Sequence, residues 1–496
     1  MTTPPPSRPR FWALILIALL ALGGLLRLLD LTDPPLDFHS TRQLRNAIVA
    51  RGIYYEWHPD ADPLLRDLAM AHRKSMGQYE PPIIESLVAW TYGWTGGEHV
   101  WVARLYNSLF WLLAGLALFD LARRIASPQA ALAALAYYLV LPFAVQASRS
   151  FQPDPLMASA FVIGIYFLYR WMEAQTWKWA LLAGLVAGFA VLVKIVIAFM
   201  VGGAAIAAVL SVYGWRRFWK SPQVWVMAAL MVAPALAYYV LGNPGRSSEY
   251  FFSWTVELLK LLASSTFYAR WIGFLGSLFS LTVIMLSLAG MLIAPSRLRA
   301  ILLGLWLGYL LYGLTLPFQM YTHSYYHLQL VPVVALGLAP LVGLVITQVS
   351  RQSRFWRLAF AGLMLFALLY PAWVARSVLV AEDFRSEPAF WQRIGQDIPA
   401  DSEVVALTQD YGYRLMYFGW RKVDLWPITG ELSALRGGDR DFAEEFADRT
   451  AGKDCFLVTA FGQYEKQPEL KQMLTEHYPL AATGAGYLLF DLRHPK

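Results

Sequence analysis

Residues 11–29 read FWALILIALLALGGLLRLL, 19 positions in which Arg27 is the only charge, and residues 34–45, PPLDFHSTRQLR, come almost at once after them. A helix rises about 1.5 Å per residue, so a run of this length crosses a hydrocarbon core of about 30 Å. The run comes after Arg8 and Arg10 in the manner of a signal peptide, yet no small-x-small cleavage site precedes Asp37. We read it as a retained first span. The polar stretch behind it then sets a carboxylate, Asp37, and a histidine, His39, where the chain leaves the membrane, after two prolines, Pro34 and Pro35, that end the helix and stiffen the backbone leading to Asp37.

The rest of the chain repeats the pattern. With 57% hydrophobic residues, 15% charged residues and a mean hydropathy of +0.43, it carries more apolar side chain than a soluble core hides. The net charge of +7 does not point to nucleic acid, because the basic residues fall in short clusters between apolar runs. Cys455 is the single cysteine, so no intramolecular disulfide forms. Eleven segments are long and apolar enough to read as spans: 11–29, 98–121, 129–147, 155–171, 178–193, 195–213, 222–241, 271–293, 299–316, 327–348 and 356–378. As one helix 178–213 would extend about 54 Å, so a break near Lys194 is expected.

Arg8 and Arg10, Arg123 and Arg124, Arg170 and Lys178, Arg216, Arg217 and Lys220, Arg297 and Arg299, and Arg351, Arg354 and Arg357 all fall on one side, which the positive-inside rule makes cytoplasmic. The expected protein is thus an all-α polytopic membrane protein of the cell (plasma or inner) membrane with a cytoplasmic N-terminus. Its domains are a membrane domain, 1–379, with a long first outer loop, 30–97, and a soluble extracytoplasmic domain, 380–496. The second has ordinary charge density and strand-like runs, SEVVALTQ, DCFLVTAF and GYLLFDL, which predict a small α/β fold. It contains no Gly-rich phosphate loop, metal-ligand spacing or nucleophile elbow.

Unusual polar groups gather on the outer side. In the first loop, RNAIVARGIYYEWH and YEPPIIESLVAWTYGW have the character of helices lying along the interface, anchored by aromatic residues. In SRSFQPDPLM, Arg149 and Asp154 stand at the membrane edge; Asp154 before Pro155 also reads as a plain helix start. Lys194, in VLVKIVIAF, either snorkels to the interface or meets an anion such as phosphate. In PFQMYTHSYYHLQLVP, a helical second half would turn His323 and His327 the same way, beside Tyr321, Tyr325 and Tyr326. Two histidines without a third ligand are a weak metal signal, and contact with phosphate or sugar competes with aromatic anchoring.

These elements in this order resemble the GT-C superfamily: an acidic residue after the first span, YEPPI in the first outer loop, VARLYNSLFW opening the second span, R-x-x-x-P-D from Arg149 to Asp154, Lys194 after the fifth span and HSYYHLQLVP before a late one. The likeness is to the bacterial protein O-mannosyltransferase-like and lipid A aminoarabinose transferase-like branch. It implies an enzyme that transfers a sugar, with inversion, from a polyprenyl-phosphate donor to a glycan, lipid or protein acceptor on the outer face of the bilayer. By resemblance Asp37 matches the catalytic acidic residue and Asp154 the second acidic residue. Lys194, Tyr325 and Tyr326 fall near the donor phosphate, and Arg42, Arg149 and His323 join them as candidate donor-phosphate or substrate contacts. Three positions depart from the pattern: Phe38 stands where a second acidic residue is frequent, Ser40 where an arginine is, and Glu80 where a lysine precedes the double proline.

The chemistry fits one carboxylate acting as base while the anionic leaving group is stabilised by cations and hydroxyls. No cofactor is required by this scheme, and a divalent metal is optional. The rival expectation is a transporter or flippase for a lipid-linked saccharide, whose charges would line a path on both faces rather than gather on one.

Overall fold

The computed structural model describes residues 9–77, 79–242, 249, 252–436 and 441–496. Arg8, counted above among the flanking charges, lies outside the described residues. The chain divides into two compact units that do not follow chain order: Met1–Leu31, Gln78–Ile84 and Trp101–Glu382 form the first, and Thr32–Gly77, Glu85–Val100 and Asp383–Lys496 the second.

The first unit is a helical membrane body. Among the described residues, eight helices are long and apolar enough to cross a bilayer, and a ninth span is a bent pair. Pro128–Val140 and Trp177–Val193 are shorter apolar helices. Each of the eleven apolar segments read from the sequence falls on one of these elements. Some are less regular than a single straight helix. Residues 129–147 fold as two helices, Pro128–Val140 and Pro142–Ala147, because Pro142 cannot donate to the preceding turn. Residues 271–293 belong to Ser265–Phe279 and Leu281–Ile293, which meet at 88° where Ser280 takes a left-handed φ of 64°. Ile195–Ile197 is a 3-10 turn ahead of the helix Ala198–Tyr213.

Helices in a bilayer gain little from burying leucine against leucine, so close packing falls to small residues. A Cβ on Gly203 would stand 2.2 Å from the Gly304 carbonyl oxygen, and one on Gly290 would stand 2.0 Å from that of Gly337. These glycines let backbone lie against backbone. Arg354–Leu379 instead leaves Leu363, Phe366 and Trp373 exposed, a surface that suits lipid rather than water.

The second unit contains a five-stranded sheet in the order β2-β1-β3-β5-β4, made by β1 (Val404–Leu407), β2 (Asp424–Leu425), β3 (Cys455–Val458), β4 (Leu480–Gly484) and β5 (Tyr487–Asp491). β1 pairs in parallel with β2 and β3, and β5 runs antiparallel to β3 and β4. The three predicted strand runs are β1, β3 and β5. Both faces of the sheet are covered, one by a core around Trp391 and Leu415 and the other by a core around Trp426 and Phe446.

The unit also holds three helices of the first outer loop, α1 (Ser40–Glu56), α2 (Pro63–Ser75) and α3 (Ile83–Thr95), the last of which begins at its boundary with the membrane body. The expected interfacial helix over RNAIVARGIYYEWH is not one: every residue from Gln43 to Ile53 of α1 is buried, polar ones included. Arg51 shows why this is tolerated. Its guanidinium lies 4.0 Å from the ring centroids of both Tyr417 and Trp420, pairs with Glu98 at 2.9 Å and donates to the Tyr417 carbonyl at 2.6 Å. Burial works against the Arg51 charge, but Glu98 and Tyr417 more than offset it and hold its pKa above the ordinary value.

Candidate functional site

Within the membrane body the decisive residue is Lys194. The helix Trp177–Val193 stops there, Lys194 adopts extended dihedrals (φ −154°, ψ 114°), and its ammonium turns into the protein, where the residue is 3% exposed. An uncompensated ammonium in such a place is strongly unfavourable. Compensation comes from Asp154, whose carboxylate oxygens accept from Nζ at 2.8 and 2.9 Å, and from Glu80, whose Oε1 lies 4.0 Å away. The ammonium also sits 4.9 and 4.7 Å from the ring centroids of Tyr325 and Tyr326. The snorkelling reading of Lys194 therefore does not hold.

Asp154 is the first residue of the helix Asp154–Ala174, with Pro153 at the cap position. A helix start accounts for where Asp154 is but not for its carboxylate, both oxygens of which accept from Lys194. Tyr325 and Tyr326 lie in the 3-10 turn Ser324–His327, and His323, just before it, has its ring centroid 5.5 and 6.0 Å from theirs. So Asp154, Lys194, Tyr325, Tyr326 and His323 come together in one cluster.

The 3-10 geometry separates the two histidines that a helix would have aligned. His327 is fully buried, with Nδ1 2.6 Å from the Tyr309 hydroxyl and Nε2 3.1 Å from the Met320 carbonyl oxygen. Both its ring nitrogens are thus engaged. Arg149 is buried in the membrane body. Its guanidinium donates to the carbonyls of Arg27 and Leu29, while Arg104 donates to those of Asp30 and Leu31 at 3.2 and 2.9 Å. The buried arginines satisfy carbonyls at the end of the first span and complement its helix dipole.

Asp37 and Arg42 belong to the second unit. Asp37 is half-buried in the turn between Pro35 and α1, and Gln43 Nε2 donates to its Oδ1 at 3.2 Å and to the Phe38 carbonyl at 2.8 Å. His39 has a φ of 48°, a left-handed conformation uncommon outside glycine, which sets the angle at which the turn enters α1. Arg42 lies half-buried in the first turn of α1. Asp33, in the same turn region, accepts from the Phe384 N–H at 3.0 Å.

Sequence reasoning missed Glu80 as a partner of Lys194 and saw it only as a departure at YEPPI. It also missed Asp33, Arg51 and Glu98, whose partners are too far along the chain for spacing to signal them.

Compared with known proteins, residues 80–247 match the family model for dolichyl-phosphate-mannose-protein mannosyltransferases. Among solved structures the chain superposes on ArnT from Cupriavidus metallidurans bound to undecaprenyl phosphate, with a TM-score of 0.58 and 15% identity over 97% of this chain and 98% of that one. The chain has the GT-C fold. The archaeal oligosaccharyltransferase AglB from Archaeoglobus fulgidus, in complex with an inhibitory peptide and a dolichol-phosphate, matches with a TM-score of 0.52 and 13% identity over 96% of this chain and 74% of that one. No curated protein sequence is significantly similar to the chain. The family match and the GT-C fold together point to a membrane glycosyltransferase rather than a flippase. The three departures from the pattern, Phe38, Ser40 and Glu80, fall on both compact units.

Proposed function

We propose that this protein is an inverting glycosyltransferase that moves a sugar from a polyprenyl-phosphate carrier to a glycan, lipid or protein acceptor on the outer face of the cell membrane. The observation that carries this reading is the buried Lys194 cluster, a cation with two carboxylates and two tyrosines inside the membrane body. The ammonium and the two tyrosines are the part of this cluster that can attract a lipid-borne anion, against the opposing charge of the carboxylates, and the solved neighbours include one bound to undecaprenyl phosphate and one bound to dolichol-phosphate.

In this reading Asp37 takes the proton of the acceptor hydroxyl as the hydroxyl oxygen attacks the anomeric carbon. The bond from that carbon to the phosphate oxygen breaks, its electron pair leaves with the polyprenyl phosphate, and attack from the opposite face inverts the configuration. Lys194, Tyr325, Tyr326 and His323 stabilise the charge that gathers on the leaving oxygen. Asp154 holds Lys194 in place, Arg42 serves as a substrate contact, and Arg149 supports the end of the first span. These roles use no metal. The clusters of basic residues at Arg123, Arg216 and Arg351 support a cytoplasmic N-terminus and an outer C-terminal domain.

The test is transfer from a panel of labelled polyprenyl-phosphate sugars into a membrane extract, by the parent protein and by Asp37→Asn. Transfer from one donor that disappears in the variant is expected. Parent-level transfer by folded Asp37→Asn overturns the assignment of the base, and movement of labelled lipid across vesicles without any transfer returns the flippase reading.

A further inference from the structure

We propose that Asp410, in the C-terminal α/β domain, is a positioning residue for the Asp37 turn; the inference rests on Asp37 being the base. β1 leaves the sheet at Leu407, and the loop after it contains three consecutive residues with left-handed φ: Asp410 at 51°, Tyr411 at 55° and Gly412 at 74°. Only the last is a glycine. A backbone held this way at two non-glycine residues persists where surrounding contacts over-determine it.

Those contacts converge on the Asp410 carboxylate. Oδ2 accepts from Arg414 Nε at 2.6 Å, Arg414 donates in turn to Glu387 at 3.0 Å, and Glu387 accepts from the indole of buried Trp391 at 2.7 Å. That chain fixes Asp410 from within its own domain. Oδ1 accepts from the hydroxyls of Ser40 and Thr41, each at 2.7 Å. These are the first two residues of α1.

The start of α1 has no side-chain cap of its own. Its cap residue, His39, makes no capping side-chain bond, and its first turn has no acidic residue. Asp410 provides the missing anion at that helix end, where the N–H groups and the dipole favour one. Two residues, Phe38 and His39, separate Ser40 from Asp37, and Gln43 in the same first turns reaches back to Asp37 and to the Phe38 carbonyl. Pinning Ser40 and Thr41 therefore fixes the direction of α1, and through Gln43 the orientation of the Asp37 carboxylate. The soluble domain thereby has a part in the reaction without touching substrate.

The test uses the full-length protein and compares Asp410→Ala, Asp410→Asn, the double variant Ser40→Ala/Thr41→Ala and the combined triple variant. Misplacing a reacting group by about 1 Å costs on the order of 100-fold, so Asp410→Ala and the double variant should each lower kcat about 10- to 100-fold with donor KM little changed. The triple variant should be no slower than Asp410→Ala, and Asp410→Asn, which keeps an oxygen for the two hydroxyls, should recover most of the rate. Should Asp410→Ala fail to fold, the double variant decides, since it leaves the Arg414 pair intact. Parent kcat in the double variant overturns the inference while an inactive Asp37→Asn leaves the base assignment standing. An active Asp37→Asn removes both.

Discussion

The Lys194 cluster and the Asp37 turn both hold a charged side chain at a fixed place, and they differ in burial and in the contacts seen around them. Lys194 is 3% exposed and meets its charge with charge, through ionic hydrogen bonds of 2.8 and 2.9 Å and two aromatic rings. Asp37 is half-buried and is met by an amide, Gln43, on a helix that is itself tied down by two hydroxyls. In the first arrangement each partner would be stranded without the other. The second leaves the carboxylate partly open to solvent. The proposed roles, phosphate contact for Lys194 and general base for Asp37, are assigned to the two regions on that difference in burial.

The largest effect that would break this comparison is on turnover. General-base catalysis contributes about 10²- to 10⁴-fold, so Asp37→Asn should lose transfer by roughly that factor while still binding polyprenyl phosphate. Lys194→Met should do the reverse and lose the lipid. Equal loss of lipid binding in both variants would mean that the two regions do not divide the work.

Stability separates them next. Lys194→Met leaves Asp154 and Glu80 without their cation in a buried site, and breaking such pairs costs about 3–5 kcal/mol. Asp154→Asn leaves the lysine with Glu80 at 4.0 Å and should cost less. Thermal unfolding in detergent gives the order, and the double variant Lys194→Met/Asp154→Asn should be more stable than Lys194→Met alone. An additive double variant would show that the pair does not couple.

A smaller effect belongs to the Asp37 unit. His72 is buried, and burial together with the positive charges of Arg51 and Lys422 lowers its pKa to about 4. Between its ordinary value of about 6.5 and about 4 the unfolded chain binds a proton that the folded chain does not, so stability falls as the pH falls through this window. The loss approaches roughly 2–3 kcal/mol at the acid end. His72→Gln should flatten that slope in thermal melts at pH 4–7, and an unchanged slope would place the titration elsewhere.

Much of the architecture was legible because membrane spans and buried strands announce themselves by composition. All eleven apolar segments are helical, and VVAL, CFLV and YLLFD are strands buried along most of their length. The break at Leu141 was written in the sequence as Pro142, whereas the 88° bend at Ser280 lies in SLFSL, where no glycine or proline marks it. β4 was missed because it is largely exposed, and β2 because it is two residues long. The site divides the same way. Lys194 and Asp154 stood out as charges against apolar surroundings, but their pairing joins two helices through the fold and has no signature in spacing. Glu80 was noted only as a departure and Asp410 not at all, for a related reason: each is an ordinary carboxylate in a polar stretch, and only its partner makes it notable.

Glu80 gives the finest test. Asp154 already satisfies the ammonium at hydrogen-bond distance, whereas Glu80 stands at 4.0 Å with its side chain 14% exposed, so the cluster carries two carboxylates for one cation. The second carboxylate adds little to holding Lys194, and Glu80→Gln should change stability by less than about 1 kcal/mol. It would, however, oppose any phosphate that approaches the same ammonium. Removing its charge while keeping its shape should tighten binding of polyprenyl phosphate about three- to tenfold, close to 1 kcal/mol. Titration of the lipid into parent and variant reads this directly. Tighter binding places the phosphate at Lys194 and makes Glu80 a brake on donor affinity. Unchanged or weaker binding would make the Lys194 cluster a structural brace, leaving the lipid's anion to be held by other residues.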